Sequence, residues 1–586
     1  SAFTKLLPDQ VLQIQNWARN ELFSVIDSAL NDPIFAHEQE VSRLLAAAGI
    51  LPMFGFPTKQ KNLYSNVIDR TSNVPKKRQL ERITVSSRDL SLAIQMFSPG
   101  SPRIKEGRTH WCAGFMSLDL NGRVKSNPLG EARNFLVCGE CEGLALITSS
   151  DDSETCPHCG EFNNVKKMPV HEPDGFVTDC IEQPRPHDEE AQSSAKTGSP
   201  SLAQLEPGEL QESIPGLQVE TWAENVNVIK INHNSKQLFP VYTHFENNGF
   251  GPNGERVVCI DEELYPEHVW SPPKEDVEKY GKQRSPNFQE IQIPENPPRI
   301  ALGDIRPTDI ATFRIDTSQA AQTPQRQSYL KFGEVAVQNW ACRNGAAAIR
   351  SFAEMFRSAC VPLLDIRPDE LEVGLYNQRM AYDPDLLTQR FFIADQLQNG
   401  AGYAPEIADP LNLKRILTYL TESEYVEILD SNSHQNCVTA CVDCVQSWEN
   451  RFVHNELDWR LGLDLAELAL TGTEIPVHRW LPRTESIVES YLSKWYKSQD
   501  FNEPTIETFT DLNIPVLLNP EKTKAVMLGH PLWMSTSDYL IPSQARTVVK
   551  LERQHGLSIQ GGDILLSDLR SVILNPIDIV THLRNT

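Results

Sequence analysis

The sequence has no run of about 18 apolar residues, so no segment is expected to cross a bilayer as a helix. It also has no Gly-x-x-x-x-Gly-Lys-Ser/Thr string. ATP binding of that kind needs a nest of backbone N–H groups, a Lys and a hydroxyl that holds Mg²⁺, and this chain supplies no such set. His-Glu-x-x-His, a phospholipase-D-type His-x-Lys pair and an Asp-Glu-x-His box after a strand are also missing. No nucleotide-hydrolysing engine is therefore expected. Cysteine is scarce, with 12 in 586 residues, far below a disulfide-stapled secreted scaffold. The start, SAFTKLLPDQ, has neither the basic residues nor the apolar stretch of a secretory leader. Positive charge is in deficit: 54 Lys and Arg stand against 78 Asp and Glu, a net −24. Phosphate neutralisation supplies much of nucleic-acid affinity, so autonomous binding is not the default expectation, although a local basic groove stays open.

What is present begins with length. A chain of 586 residues is too long for one core and predicts three to five packed units. Residues 9–31 read as an amphipathic helix with Leu12, Trp17, Leu22, Val25 and Leu30 on one face, and a second helix is expected over 37–48. Together they make residues 1–80 a helical connector. Residues 81–180 alternate apolar and polar with many turn signals, so short strands are expected. Residues 181–215, rich in Pro, Ser, Glu and Gln, are expected to form a flexible linker. Residues 216–320 read as a β-rich and Pro-rich extension, in which 262–308 wraps over the surface. Within 321–480 the pattern gives an Ala-rich helix over 333–361, strands at LEVGLY and FFIADQ, a helix over 411–429 and another over 449–470. Residues 481–586 read as a C-terminal α/β region. The fold class is α+β multidomain.

Seven of the cysteines fall in two tight clusters, whereas Cys112, Cys180, Cys259, Cys342 and Cys360 are scattered. Clustered thiols beside isolated ones fit metal binding in a reducing cytosol better than disulfides. The first cluster pairs Cys138 and Cys141 with Cys156 and Cys159. Two such knuckles place four thiolates tetrahedrally around zinc at about 2.3 Å. Four protein ligands leave no open position, so this zinc ribbon is expected to be structural. The second cluster holds His434, Cys437, Cys441 and Cys444. Its fourth ligand is His434, with His454 the competitor. Asp395 ends an apolar strand before the glycines of NGAGY and reads as a turn cap, with a ligand-facing carboxylate as the alternative. The run Lys76, Lys77, Arg78 and Arg82 reads as solvated surface, with a phosphate contact as the alternative.

The string ACVDCVQSWENRFVHNELDWRLGLDLAELAL (440–470) resembles the end of the MrfA-like zinc-binding domain, found C-terminally in MrfA/YprA-type superfamily 2 DNA helicases. Cys441, Cys444, Trp448, Asn450, His454, Leu457 and Asp458 carry the pattern. EVGLY (372–376) and IADQLQNGAGY (393–403) resemble that domain's strand and its Asp plus Gly-rich turn, with Asn399 where Gly is usual. The first Cys of the family's quartet is also missing. GILPMFGFPTK (49–59), FSPGSPRIKEGRTHWCAGF (97–115) and the ribbon resemble the segment that follows the motor in such helicases. The same architecture occurs in the anti-phage systems DISARM and Druantia. The resemblance implies a motor-less accessory subunit, or the C-terminal portion, of a cytoplasmic helicase system that binds two Zn²⁺ ions. Its implied partners are a superfamily 2 motor, in trans or as the missing N-terminal part, and DNA, single-stranded or duplex with an overhang. An assembly scaffold with no nucleic-acid contact is the competing class. A nuclease in the last 100 residues is not supported, since no PD-(D/E)xK arrangement occurs there.

Overall fold

Period-two alternation builds four sheets among the described residues, and helices cover their apolar faces. The computed structural model describes residues 15–31, 45, 59–65, 73–116, 129–139, 143–147, 155–157, 160–178, 185–186, 200–202, 208–211, 214–223, 225–234, 236–240, 242–243, 258–259, 299–315, 343–380, 383–431, 434, 437–447, 450–473, 475–498, 502–508, 514–533 and 540–584. The architecture is mixed α+β.

The first sheet is centred on Arg108–Phe115, Phe176–Thr178, Gln60–Tyr64 and Thr84–Asp89. The helix Leu90–Met96 covers it, and Phe97 meets Phe176 edge-on at 5.6 Å inside that core. The second sheet runs Ser201–Leu202, Val226–Asn232, Arg299–Thr308, Val165–His171, Ala132–Cys138, Leu144–Leu146. Its strand Arg299–Thr308 corrects the end of the stretch expected to wrap over the surface, while 262–298 lies outside the described residues. Ile300 to Arg306 are buried, and the strand pairs with neighbours on both sides. The run RIALGDIR carries enough apolar area for a central strand, and Pro307 falls near its end, where a missing N–H costs little. Part of the stretch expected to be a linker is held as well: Ser201–Leu202 pairs with Val226–Asn232, and Glu209–Leu210 with Leu217–Thr221.

The third sheet, Glu209–Leu210, Leu217–Thr221, Ile310–Ile315, Asp383–Asp395, Leu371–Met380, seats the long helix Arg343–Leu364. Phe352 and Phe356 from that helix meet Phe391, and Phe313 stacks on Phe391 at 4.8 Å. The sequence reads residues 449–470 as one helix. Instead a 3-10 segment, Arg451–Glu456, precedes the α-helix Trp459–Thr471. Asp458 makes the break: its carboxylate accepts from Arg460 N–H and from Arg570 Nε, and its own N–H donates to Ser351 Oγ. Gly462 then lets this helix approach Arg343–Leu364, because an added Cβ would lie 2.6 Å from Met355 Sδ.

The fourth sheet is buried on both faces. Val516, Leu518 and Met527 share a small core with Leu551 of the helix Pro542–His555. Leu517, Val526 and Leu528 point the other way, into the core that contains Trp459 and Leu465. A buried polar clasp holds the same junction. Asp464 accepts from Arg479 at 2.9 Å, from Trp480 Nε1 at 2.8 Å and from His530 Nε2 at 3.0 Å.

A second clasp joins the second and third sheets. Glu372 pairs with Lys230 and, at 2.7 Å, with Arg306. Burial alone would raise the Glu372 carboxyl, but the two cations outweigh it and hold it below the usual range. At the N-terminal end, residues 15–20 and Leu22–Asn31 are helical. Of the apolar face read from the sequence, Trp17, Val25 and Leu30 are 39%, 37% and 46% exposed, and Phe23 beside it is 78% exposed. Leu12 lies outside the described residues, as does nearly all of the second helix expected over 37–48. Among the described residues no helix is long and apolar enough to cross a membrane.

Candidate metal centre

In the stretch between the helices Glu424–Asp430 and Trp459–Thr471, Val445 and Leu457 are the fully buried apolar residues among those described, and Val438 and Val442 point outward, 41% and 78% exposed. Such a loop has little core with which to order itself. His434, Cys437, Cys441 and Cys444 converge within it, and their donor atoms all lie within 4.8 Å of one another. Cys437 Sγ is 3.9 Å from Cys444 Sγ, and Cys441 Sγ is 3.4 Å from His434 Nε2. Tetrahedral zinc with bonds of about 2.3 Å to sulfur and about 2.0 Å to nitrogen separates its donors by roughly 3.5–3.8 Å. The donor set fits such an ion.

The surroundings orient each donor. His434 is buried, and its Nδ1 lies 3.0 Å from the Leu429 carbonyl oxygen, so a proton there leaves Nε2 with its lone pair toward the thiols. Cys441 N–H donates to Cys444 Sγ at 3.0 Å, the backbone-to-sulfur bond of a tight knuckle. The neighbouring Cys437 thiol, helped by that N–H and by His434, holds the Cys444 thiol down to about 5, while Cys437 itself is pushed up. Only one thiolate forms easily in so small a space without a cation, and a divalent ion removes that limit. Tyr425 donates its hydroxyl to Cys444 O at 2.9 Å. Arg460 donates to Val438 O at 3.0 Å and Cys437 O at 3.3 Å, and its guanidinium lies 4.6 Å from the Trp459 ring centre.

His454, the competing ligand, is placed elsewhere. Its Nε2 sits 2.9 Å from both Ser447 O and Asn450 Oδ1. Asn450 in turn donates to Val445 O and Glu354 Oε2, so His454 braces the loop behind the knuckle. Four protein donors close the shell, which suits a structural ion and leaves no position for substrate.

Of the ribbon residues, Cys138 and Cys156 are described and both are buried, while Cys141 and Cys159 lie outside the described residues. Cys138 ends the strand Ala132–Cys138, and its N–H donates to Gly143 O. Gly160, at φ 77°, turns back so that its N–H reaches Cys156 O at 2.8 Å.

Asp395 caps a turn. It is fully buried and accepts N–H groups from Ala401 at 2.5 Å, Tyr403 at 3.1 Å and Ala404 at 2.9 Å. Burial pushes its carboxyl up to about 6 and Asp309 adds to the rise, while the N–H groups oppose it. Gly400 is required here: at φ 75°, a Cβ would lie 2.0 Å from Asp309 Oδ2. Asn399 takes the preceding left-handed position at φ 65°, which Asn tolerates better than most residues, so the departure from Gly is accommodated.

Sequence reasoning missed the supports Tyr425, Glu354 and Arg460. Arg460 alone had a visible signal, its place in the Leu-Asp-Trp-Arg string. The Lys76, Lys77, Arg78 and Arg82 run forms the exposed face of the helix Lys76–Ile83.

No family model matches the chain. Two solved structures, the DUF1998 helicase MrfA bound to DNA and the same helicase without it, overlap with TM-scores of 0.23 at 11% and 10% identity. The overlaps cover 69% and 67% of this chain and 40% and 33% of those chains, and scores this low carry no argument about function. A curated protein, the Druantia protein DruE of Escherichia coli (strain UMEA 4076-1), is 24% identical over 453 residues. That match covers 74% of this chain but 22% of DruE, so the chain spans less than a quarter of that relative's length. The likeness read from the knuckle and the Leu-Asp-Trp-Arg string thus has a counterpart across three quarters of the sequence: this chain is similar to the Druantia protein DruE.

Proposed function

We propose that the chain is a motor-less, zinc-binding accessory unit of a superfamily 2 DNA helicase system in bacterial anti-phage defence, where it helps a motor engage DNA. The observation that carries this reading is the four-donor cluster of His434, Cys437, Cys441 and Cys444, within a chain that shares 453 aligned residues with DruE. Cys138, Cys141, Cys156 and Cys159 are proposed to hold a second zinc ion. Zinc supplies folding free energy to loops that lack a core, and the residues around it present a fixed surface. The exposed apolar side chains of Trp17, Phe23, Val25 and Leu30 support docking to a motor. Phe54 and Phe56, further candidates for that surface, lie outside the described residues.

The test is a pull-down with a superfamily 2 helicase motor, followed by ATPase and DNA-retention assays. The purified chain alone is expected to turn over no ATP, and the complex to hold DNA better than the motor alone. Robust turnover by the chain itself overturns the motor-less reading. Capture of neither motor nor DNA overturns the accessory reading. The net charge of −24 favours a second reading, an assembly scaffold, which predicts motor capture with no gain in DNA retention.

A further inference from the structure

A helix and a hairpin converge on an open cleft of about 670 Å³ in the first sheet's unit. The helix Lys76–Ile83 buries Gln79 and turns its charged face outward. Arg78 and Arg82 stand one turn apart on that face, so both side chains reach the cleft. The hairpin is formed by Pro102–Lys105 and Arg108–Phe115. Its tip, Glu106 and Gly107, takes positive φ at 53° and 71°, a tight turn that sets Lys105 and Arg108 on the cleft's other wall. Lys105 Nζ donates to Thr84 O at 2.5 Å, just past the helix end, which fixes the hairpin against the helix.

The charge of the cleft runs against that of the chain. Four cations line it against two carboxylates, Glu81 and Glu106, and Val85 is its lone apolar lining residue. Burial first, and then Lys105 and Arg108, lower the pKa of His110 at the cleft. Arg78 and Arg82 have no carboxylate partner among the described residues, unlike Lys59, Lys230, Arg306, Arg390 and Arg479, which are all paired. In a chain of net charge −24, two arginines without a carboxylate partner here face a hairpin wall that adds two more cations.

We propose that this cleft binds the phosphodiester backbone of a nucleic-acid strand, with Arg78 and Arg82 on one wall and Lys105 and Arg108 on the other. The lining favours a strand over a nucleotide pocketed by its base. It offers charge and guanidinium forks, with Val85 and the His110 ring as its few surfaces for a base and no Phe, Tyr or Trp among the described lining residues. The cleft is open to solvent, so a polymer can pass through. Binding here is through the backbone and independent of sequence. The site depends on the accessory reading only in taking the polyanion to be nucleic acid, and it is separate from the metal centre.

The experiment uses the full chain and a fluorescein-labelled, mixed-sequence single-stranded DNA, with anisotropy measured between about 50 and 200 mM salt. Arg78→Glu/Arg82→Glu is compared with a charge-matched control, Lys550→Glu/Arg553→Glu, on the helix Pro542–His555. The cleft variant is expected to lose about tenfold or more in affinity, with its salt slope reduced by about 2, while the control stays within about threefold of the parent. Arg78→Gln/Arg82→Gln should lose less and keep the parent's melting temperature, which separates charge loss from misfolding. Parent-like binding by the cleft variant, or equal loss in both variants, overturns the site. So does failure of the parent to bind DNA at the lowest salt, or its binding a phosphopeptide in preference to DNA. Motor capture is scored on the same proteins. If the cleft fails while capture persists, the accessory reading stands without it; if capture fails as well, both fall.

Discussion

Tyr425→Phe removes one hydroxyl and should weaken metal binding at His434, Cys437, Cys441 and Cys444 without touching a ligand. The hydroxyl donates to Cys444 O at 2.9 Å and so fixes the knuckle that carries Cys441 and Cys444. The ring itself stays, because Tyr425 stacks on Tyr419 at 5.9 Å with planes 13° apart, and Phe keeps that contact. A net hydrogen bond is worth about 0.5–1.5 kcal/mol, and an unsatisfied buried acceptor costs about 1–3 kcal/mol. Cys444 is half-buried, so the lower part of that range applies. Supports of this kind typically shift metal affinity about 10–100-fold, and the estimate here is near tenfold, or about 1.4 kcal/mol. The assay is competition with a chelator of known zinc affinity, repeated with Co²⁺, whose thiolate bands report the donor set directly. The bands should keep their position while affinity falls. Affinity within about threefold of the parent would show that the knuckle is held by its own backbone and refute the reasoning.

The remaining predictions concern the ligands, the clasp and the cap. Cys444→Ser should remove one of the two expected zinc ions and raise hydrogen exchange around 434–447, leaving exchange near Cys138 unchanged; equal loss at both places would mean that the centres are not independent. Asp464→Asn sets an amide against three buried donors, Arg479, Trp480 and His530, and should cost about 3–5 kcal/mol in urea unfolding; a loss under about 1 kcal/mol would mean that the clasp is not what joins the fourth sheet to the core. The Asp395 carboxyl should titrate near pH 6 by carbon-detected NMR, against 3.8 for an ordinary Asp, and a midpoint near 4 would refute the burial argument. The native carboxyl keeps its proton to higher pH than the unfolded chain does. Its contribution to stability is therefore largest below the ordinary value and declines as pH rises toward 6.

The metal centre was legible because its chemistry is local. Three thiols and an imidazole within eleven residues define a donor set whatever packs around them. The sequence favoured His434 as fourth donor but held no reason to exclude His454. That exclusion turns on Asn450, which holds His454 at 2.9 Å and is itself tied to Glu354, 96 positions earlier in the chain. Sheet membership failed for the same reason at Arg299–Thr308. The Pro-rich sequence before it suggests a surface wrap, yet the strand's neighbours, Val226–Asn232 and Val165–His171, come from far earlier in the chain. The proposed cleft sets a local basic lining against an acidic composition. A net charge of −24 argues against phosphate binding, but a sum does not say where the charges lie, and buried pairs such as Glu372 with Lys230 and Arg306, or Asp464 with Arg479, do not set the field at a distant cleft. Pairs of this kind cancel locally and project little field. What a passing polyanion meets is the unpaired charge near it, and Arg78 and Arg82 carry such charge on a helix whose neighbouring hairpin adds Lys105 and Arg108. A chain can thus be acidic overall and still present a basic surface, and among the described residues this one lies on a different sheet's unit from the candidate metal centre.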